Sequence, residues 1–424
     1  MKLSIVICVY NTDKDYFDAC LKSLTDSTLS YTAICGRRDI SYEIVIVDDG
    51  SELDYADVIS KYQNVTYTKT ENRGIFKARA LGVEIASGDF IAFCDSDDTV
   101  SYNYHLPMLL TAERKGADIV MNDWAFHSQR ARYCCQGDST ISSDIEKVGE
   151  DVLLSFTEQR GREHSYYVLW NKIYSAKLLK EATSLSLKAA EEKCPEARYN
   201  YSEDALINFF AFRGAKKLVN IHTGYYFYRI HDSQTVNVTS KEKLLSHISF
   251  TATTLSIMSE WVVGFKNAAA MRENVKAWGQ LMSRTHYSYA KKNGHTDLYE
   301  VIKEKYGTDE LRKSTFNDGS AYSKNKLIPD NIEAIDSALL KIWRDGKKAV
   351  RTGKIGKYAK RSLDFTESEQ NVHISFVKDG EAHSIPREII PLKKKIIYTP
   401  LVYKIGMILF KKGGKMRAFL KKKL

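Results

Sequence analysis

Three carboxylates fall within four consecutive residues, Asp95-Ser96-Asp97-Asp98, directly after the apolar run at residues 90–94. A run of this kind predicts a buried strand, which places the carboxylates at its carboxyl end. Repulsion between carboxylates this close is costly unless a cation or a donor-rich ligand relieves it. Hard divalent ions bound through oxygen give that relief and leave coordination positions for phosphate oxygens. The cluster therefore predicts a metal and phosphate site, with a solvated turn as the alternative.

Polar groups also follow two earlier apolar runs, as Tyr10-Asn11 and as Asp48-Asp49. In open α/β sheets, ligands gather beyond the carboxyl ends of the strands. A nucleotide suits such a site, because one carboxylate can accept from a base N–H, another from ribose hydroxyls, and a metal can hold the diphosphate. The sequence has neither G-x-x-x-x-G-K-[ST] nor G-x-G-x-x-G, so the phosphate charge must be met by metal and basic side chains.

The elements that position these groups alternate between strand and helix through residue 98. Strands are predicted at residues 3–9, 42–47, 64–69 and 89–94. Three helices are predicted between them: one capped by Thr12 or Asp13, one from Ser51 to about residue 62, and one over residues 74–86. This alternation predicts an α/β fold with a largely parallel sheet.

Size and composition favour a reduced, intracellular protein of two or three domains. The chain has 424 residues, and its 7 cysteines are an odd number without metal-type spacing. The apolar start is short and is not followed by a small-residue cleavage site, which speaks against a signal peptide. No uncharged run reaches the roughly 18–20 residues that span a bilayer. The net charge of +10 is concentrated in residues 389–424, which hold 11 Lys or Arg and no acidic residue.

Four segments, in this order and spacing, resemble family 2 glycosyltransferases. They are residues 4–11, 43–51, 72–79 and 95–98. Three later segments extend the resemblance to about residue 240, namely residues 169–174, the pair Glu203-Asp204, and residues 225–233. The resemblance implies the GT-A fold, inversion at the anomeric carbon and a nucleotide-activated sugar donor. Cys8 is a departure, because the family often has proline there, and it affects backbone contact near the base.

The resemblance also implies the catalytic and metal-binding residues. Asp204 is expected to be the general base that takes the acceptor proton, with Glu203 as its competitor. A carboxylate that merely favours a helix N-terminus is the alternative for Asp204. Asp97 is expected to bind Mn²⁺ or Mg²⁺, and Asp95 to contact the metal or the ribose.

Further contacts to donor and acceptor are expected from the same matches. Asp48 would accept from the base, whereas the adjacent Asp49 is expected to hold a turn. Arg229 and His231 would contact the diphosphate. The remaining expected donor contacts are Cys8, Tyr10, Arg79 and Ser96, and the expected acceptor contacts are Trp170 and Lys172. The alternatives are a surface position for Arg79, an ordinary loop histidine for His231 and a packing role for Trp170.

The predicted organisation has three parts. A GT-A domain covers residues 1–240, with a nucleotide-binding half at 1–100 and an acceptor half at 101–240. A mostly helical accessory region covers residues 241–390, with helices expected at 244–264, 268–291 and 336–345. Three roles stay open for it: packing the catalytic domain, forming a homo-oligomer or guiding the acceptor.

The third part is a basic amphipathic tail at residues 391–424. Lysines flank its apolar stretch at 396–410, a pattern that favours an anionic membrane surface. A disordered solvated tail is the alternative. Nucleic-acid binding is not expected, because no recognised nucleic-acid module accompanies these charges.

The function implied by the resemblance is metal-dependent, inverting sugar transfer. A nucleoside-diphosphate sugar, by default a UDP-sugar, would donate to a hydroxyl of a lipid-linked or polymeric cell-surface glycan. The enzyme would be cytoplasmic and peripheral on the inner face of the membrane. A nucleotidyltransferase acting on a sugar phosphate, which would release pyrophosphate, and a catalytically inactive GT-A scaffold are the alternatives.

Overall fold

The structure is a computed structural model. It describes residues 1–35, 39–100, 104–122, 125–129, 132–136, 146–158, 164–195, 199–221, 226–229, 240–307, 362–367, 371–378 and 381–388. The chain divides into two compact units, of which the first comprises Met1–Thr28 and Arg38–Leu327. The second comprises Leu29–Arg37 and Ile328–Leu424. His231 and the tail at 391–424 lie outside the described residues, as does the helix expected at 336–345.

Strands and helices alternate through the first hundred residues, as predicted. The strands through residue 229 are β1 (Lys2–Val9), β2 (Ser41–Asp48), β3 (Val65–Lys69), β4 (Phe90–Asp95), β5 (Thr99–Val100), β6 (Ile119–Asn122), β7 (Ala125–Gln129), β8 (Arg132–Gln136), β9 (Glu146–Val148), β10 (Lys172–Ser175), β11 (Lys217–Ile221) and β12 (Tyr226–Arg229). The helices through residue 306 are α1 (Lys14–Cys35), α2 (Ala56–Ile59), α3 (Ile75–Ile85), α4 (His105–Lys115), α5 (Glu150–Glu158), α6 (His164–Tyr167), α7 (Ala176–Lys193), α8 (Glu203–Gly214), α9 (Lys241–Trp261), α10 (Ala268–Lys292) and α11 (Tyr299–Tyr306), with a 3₁₀ turn at Thr296–Leu298.

The main sheet has the strand order β3-β2-β1-β4-β10-β6-β11-β9. Its first four strands are parallel, and β10 enters antiparallel between β4 and β6. The register pairs Val9 with Asp48 and Cys8 with Asp95, so the carboxyl ends of β1, β2 and β4 lie side by side. A smaller sheet has the strand order β5-β12-β7-β8, and its strand β5 begins directly after the acidic cluster.

Close packing of α3 fixes the parallel strands. The continuous apolar sequence of β1 suits a strand covered on both faces, and residues 3–7 are fully buried. A Cβ on Gly82 of α3 would lie 2.4 Å from Cγ1 of Val6, so only glycine allows this approach. This contact sets α3, and the arginine it carries, close to the strand ends.

The two predicted helix caps have different outcomes. Asp13 caps α1, since its Oδ1 accepts the N–H of Asp15 (2.9 Å). The prediction of a helix from Ser51 to about residue 62 is wrong, because only Ala56–Ile59 is helical there. Ser51 instead closes the turn after β2: its N–H donates to Oδ1 of Asp48 (2.7 Å), and its Oγ accepts the N–H of Asn11 (2.9 Å).

The helices after residue 240 share the core of the preceding domain. Met258 of α9 and Trp278 of α10 belong to the same buried cluster as Phe156 and Phe209. The core of the first unit therefore continues past residue 240. The accessory region predicted over 241–390 contains these helices and also three strands in the second unit.

The described strands of the second unit form an antiparallel sheet. They are β13 (Ser362–Glu367), β14 (Asn371–Lys378) and β15 (Glu381–Glu388), in the order β13-β14-β15. In the part of the chain that the structure describes, no helix combines the length and apolar character needed to cross a bilayer.

Candidate active site

The acidic residues at the end of β4 form a tight turn fastened by β12. The N–H of Asp98 donates to the carbonyl of Asp95 (3.2 Å). Oδ1 of Asp98 accepts the N–H of Arg229 (2.7 Å), and Nε of Arg229 donates to the carbonyl of Asp97 (2.8 Å). The predicted alternative of a merely solvated turn does not fit these contacts, because Asp98 is fully buried.

Charge is concentrated in this turn. Burial, with repulsion from Asp97 and Asp95, raises the pKa of Asp98 well above its ordinary value. The other oxygen of Asp98, Oδ2, is buried without a hydrogen-bond partner among the described residues. Arg229 brings a cation to the turn, and its guanidinium lies 4.2 Å from the ring centroid of Tyr16. The diphosphate contact predicted for Arg229 is compatible with this position and stays a prediction.

Arg79 links the acidic turn to the predicted catalytic pair. One guanidinium nitrogen lies 3.3 Å from Oδ1 of Asp95, and the other donates to Oε1 of Glu203. Its side chain is 11% exposed, which excludes the surface position considered for it. Burial raises the pKa of Asp95, and the charge of Arg79 opposes that increase. Arg79 therefore joins two elements that are far apart in sequence.

Glu203 and Asp204 begin α8, where the helix dipole favours negative charge. Oδ1 of Asp204 accepts the N–H of Ala205 (2.7 Å). Burial is the main cause that raises the pKa of Asp204 to about 7, the adjacent Glu203 adds to it, and Arg79 opposes it. Glu203 is held by Arg79, whereas Asp204 has a pKa suited to taking a proton near neutrality. This difference favours Asp204 over Glu203 as the base.

The end of the sheet predicted to bind the base contains a buried aspartate and an exposed tyrosine. Asp48 is fully buried, and its oxygens accept from the N–H of Ser51 and from the hydroxyl of Tyr67 (2.6 Å). This geometry argues against the direct base contact predicted for Asp48. Tyr10, by contrast, is 54% exposed and directly follows β1.

Three further residues near the carboxyl ends of β1, β2 and β4 are Asp49, Ser96 and Cys8. Asp49 accepts the N–H groups of Arg73 and Gly74 (2.8 and 2.9 Å), so it joins the turn after β2 to the start of α3, a longer-range structural contact than the local turn expected of it. Ser96 shares a hydrogen bond with the hydroxyl of Thr12 (2.7 Å), which joins the acidic turn to the loop after β1. Cys8 is part-buried, and burial raises the pKa of its thiol to about 12, so the thiol stays protonated.

The two predicted acceptor residues lie inside the fold. Trp170 is 8% exposed and stacks on Tyr226 with ring centroids 4.2 Å apart, which is the packing role considered for it. Lys172 is fully buried, and its Nζ donates to the carbonyl of Val168 (2.6 Å) and to Oδ1 of Asn171 (2.7 Å). Burial lowers the pKa of Lys172 well below its ordinary value. These positions argue against direct acceptor contact by Lys172.

Comparison with known proteins decides the family. The model of glycosyl transferase family 2 matches residues 4–146. The putative glycosyltransferase EpsH of Bacillus subtilis is 30% identical over 267 residues, which cover 61% of this chain and 69% of EpsH. The chain belongs to the family 2 glycosyltransferases. It therefore has the GT-A fold that the sequence predicted.

A further relative and a solved structure are less similar to this chain. The poly(ribitol-phosphate) β-glucosyltransferase of Bacillus spizizenii is 28% identical over 248 residues, covering 56% of this chain and 34% of that protein. The crystal structure of Staphylococcus aureus TarS 1-349 in complex with UDP-GlcNAc aligns with a TM-score of 0.49 at 17% identity. That alignment covers 92% of this chain and 100% of the TarS chain.

For a family 2 glycosyltransferase, the acidic turn fits a divalent ion shared with a ligand. Asp95 and Asp97 supply hard oxygen donors, and Oδ2 of Asp98, which has no hydrogen-bond partner among the described residues, belongs to the same turn. Among the described residues, no group of three or more His, Cys, Asp or Glu side chains is arranged to hold a metal by itself. Two carboxylates completed by substrate phosphates and water are a usual setting for Mg²⁺. The residues present are thus compatible with the predicted Mn²⁺ or Mg²⁺.

Sequence reasoning missed two aromatic residues that shape this family 2 site. The hydroxyl of Tyr226 accepts the N–H of Asp95 (3.0 Å) and so fixes the last residue of β4. Tyr16 lies under the guanidinium of Arg229. Tyr226 falls in a segment that resembles the family, but nothing in its residue type points to a partner 131 residues away.

Proposed function

We propose that this family 2 glycosyltransferase is a metal-dependent, inverting enzyme that transfers a sugar from a UDP-sugar to a hydroxyl of a cell-surface glycan. The acceptor oxygen attacks the anomeric carbon while Asp204 takes the hydroxyl proton. The bond from that carbon to the diphosphate oxygen breaks, and its electron pair leaves with the nucleoside diphosphate. A single displacement of this kind inverts the anomeric centre.

The connection made by Arg79 carries the proposal. Because Arg79 contacts both Asp95 and Glu203, the acidic turn and the neighbour of the proposed base belong to one connected network. A donor at the turn would then have its reacting carbon near Asp204. The pKa of about 7 for Asp204 supports proton removal at neutral pH.

Asp95 and Asp97 would hold Mn²⁺ or Mg²⁺ together with the diphosphate. When bound, the ion supplies charge neutralisation for the departing diphosphate. Arg229 would add a cation on the β12 side of the turn, where its backbone and Nε already fix Asp98 and Asp97. The absence of both glycine-rich phosphate loops makes these groups the expected holders of phosphate charge.

The expected acceptor is a lipid-linked or polymeric glycan. The relative named poly(ribitol-phosphate) β-glucosyltransferase supports a polymer as the acceptor class. The identity of the sugar is set by a few contacts to individual hydroxyls, so a donor panel is the direct way to find it.

A donor panel tests the reaction. We would incubate the full chain with UDP-glucose, UDP-galactose, UDP-GlcNAc or UDP-GalNAc and Mn²⁺ or Mg²⁺, and measure UDP release. Asp204→Asn should lower the rate about 10²- to 10⁴-fold while binding UDP normally. The exposed Asp57, paired with Lys14 on the surface, provides the control variant Asp57→Asn. Undiminished turnover by Asp204→Asn, or retained stereochemistry in the product, would contradict the proposal.

Metal dependence has its own test. Asp97→Ala should abolish the increase in UDP affinity that Mn²⁺ gives the wild-type chain, whereas Asp57→Ala should keep it. Titration calorimetry with UDP, with Mn²⁺ or with a chelator, measures this difference. Equal responses of Asp97→Ala and wild type to Mn²⁺ would remove Asp97 from the metal site.

We also propose that the basic tail holds the enzyme on the inner face of the membrane. Residues 389–424 carry 11 Lys or Arg and no Asp or Glu, and each cation near an anionic surface contributes about 1 kcal/mol. Deletion of residues 391–424 should therefore abolish sedimentation with phosphatidylglycerol vesicles. Vesicles of phosphatidylcholine alone are the control. Unchanged sedimentation after deletion would refute a membrane role for the tail.

A further inference from the structure

Helix α9 holds the segment that leads into the catalytic pair. The hydroxyl of Tyr199 donates to the carbonyl of Phe250 (2.9 Å). The ring of Tyr201 stacks on His247, with centroids 3.6 Å apart and planes at 10°. Oγ of Ser202 shares a hydrogen bond with Oγ1 of Thr251 (3.1 Å). Three of the four residues directly before Glu203 are therefore tied to a single helix.

The contacts on α9 come from one face. His247, Phe250, Thr251 and Thr254 follow the i, i+3, i+4, i+7 spacing that places side chains together on a helix. Thr254 completes the set, because its Oγ1 shares a hydrogen bond with the hydroxyl of Tyr199. The spacing explains how one helix can fix several consecutive residues of an irregular segment.

The segment needs such support because its backbone is strained. Ser202, the residue before α8, has a φ of 63°, in the left-handed region that residues with a Cβ seldom occupy. Relaxation of Ser202 to an ordinary φ would rotate the first turn of α8. Glu203 and Asp204 would move with it, since both belong to that turn.

Helix α9 is itself held by α10 and α11. The hydroxyl of Tyr306 in α11 lies 3.3 Å from the carbonyl of Ile248 and 2.9 Å from Nδ1 of His286 in α10. His286 is fully enclosed by these helices. The helices after residue 240 thus form a rigid backing for the face that contacts residues 199–202.

We propose that α9 positions the catalytic base, with Thr251 and His247 as the positioning residues that hold Ser202 and Tyr201. Neither residue touches substrate in this proposal, and both act through the direction of the Asp204 carboxylate. The inference rests on the proposed role of Asp204 as the base. Helix α9 would then contribute to catalysis. From the sequence, the roles considered for this part of the chain were packing, oligomerisation and acceptor guidance.

The test compares variants of one helix. Thr251→Val removes, at nearly constant shape, the hydroxyl that bonds to Ser202 and also to the Tyr306 side chain, and Thr251→Ser restores that hydroxyl. His247→Leu removes the stacked ring, and His247→Phe restores one. Thr253→Val is the matched control, because the Thr253 hydroxyl contacts Sγ of Cys194 (3.6 Å). UDP release from the best donor of the panel gives kcat and the donor KM over a range of pH.

We expect Thr251→Val and His247→Leu to lower kcat about 10- to 100-fold, because small misplacement of a reacting group has effects of that size. The donor KM and the affinity for UDP with Mn²⁺ should stay within about twofold, since the α9 face acts on residues 199–202, which precede the proposed catalytic base, and not on the donor site. Thr251→Ser and His247→Phe should recover most of kcat, and Thr253→Val should match the wild type. Retained UDP binding also verifies that each variant is folded.

Asp204→Asn, measured in parallel, separates two kinds of failure. If it is inactive while Thr251→Val and His247→Leu keep the wild-type kcat, the positioning role is refuted and the base assignment stands. If Asp204→Asn is itself fully active, the base assignment fails and the positioning role fails with it. A loss of UDP affinity in proportion to kcat would show general damage to the fold, which also refutes positioning.

Discussion

Replacement of Arg79 by methionine should destabilise the protein in a pH-dependent way. Met keeps most of the apolar stem but removes the charge that faces Asp95 and Glu203. Arg79 and Glu203 are 11% and 9% exposed, so their pair is effectively buried. Removal of one partner from a buried pair costs about 3–5 kcal/mol, because the other charge is left uncompensated. Asp95 is 34% exposed, and its pair with Arg79 adds little to that range.

The pH dependence follows from the carboxylates that Arg79 faces. Arg79 lowers the pKa of both Asp95 and Asp204, which burial raises. Its loss therefore raises both pKa values further in the folded state. A carboxylate whose folded pKa is raised contributes stability at low pH and loses it as the pH rises through that pKa. The loss in Arg79→Met should thus be smallest near pH 5 and largest near pH 8.

Urea unfolding followed by circular dichroism at pH 5 and pH 8 measures this loss. Arg213→Met is the control, because Arg213 donates to the carbonyl of Trp261 (3.1 Å) and stacks on that ring. Its loss should be similar at the two pH values. The double variant Arg79→Met/Glu203→Gln should recover part of the stability, since it removes the unpaired charge. An equal loss for Arg79→Met at both pH values would refute the buried-charge reasoning.

Three further predictions concern separate groups. The kcat for UDP release should rise with pH through about 7 as Asp204 loses its proton, and a rate independent of pH between 5.5 and 8.5 (roughly one to two units either side) would contradict this role. Burial lowers the pKa of His105 to about 3, and neither ring nitrogen has a hydrogen-bond partner among the described residues. Stability should therefore fall as the pH drops below about 6.5, and His105→Phe should lose less stability over that range, as measured by urea midpoints. Gly82→Ala should cost about 1–3 kcal/mol in urea unfolding, by overpacking against Val6. Gly116 is the contrasting position, because an added Cβ meets no atom within 4 Å there and any cost of alanine comes from its left-handed φ of 61°. Wild-type stability of Gly82→Ala would argue against the close contact with Val6.

The sheet and the order of its site residues could be predicted because their signals are local. The apolar runs of β1 and β2 each ended in a polar residue, and parallel pairing then brought those ends together. Helix starts were less secure, as Ser51 shows: a serine after a strand can cap a helix or close a turn. Here the turn prevails because Asp48 and Asn11 both bond to Ser51.

The partners of buried charged residues could not be predicted. Lysine is usually exposed, so nothing local indicates that Lys172 lies in the core with a carbonyl and an amide as its neighbours. Arg79 matched a family segment, yet its partner Glu203 is 124 residues away. Such contacts depend on the topology, above all on β10 entering beside β4, which residue patterns do not specify.

The bonds that fasten the acidic turn also order its assembly in time. The groups of Arg229 and Tyr226 that hold Asp95, Asp97 and Asp98 lie 131 or 132 residues later in the chain. At 5–20 residues per second, a ribosome needs roughly 7–26 s to make that interval. During synthesis the first four strands can pair before any of these groups exists. At that stage the carboxylates can contact only water and ions. The acidic turn therefore cannot reach its final form before residue 229 has been made.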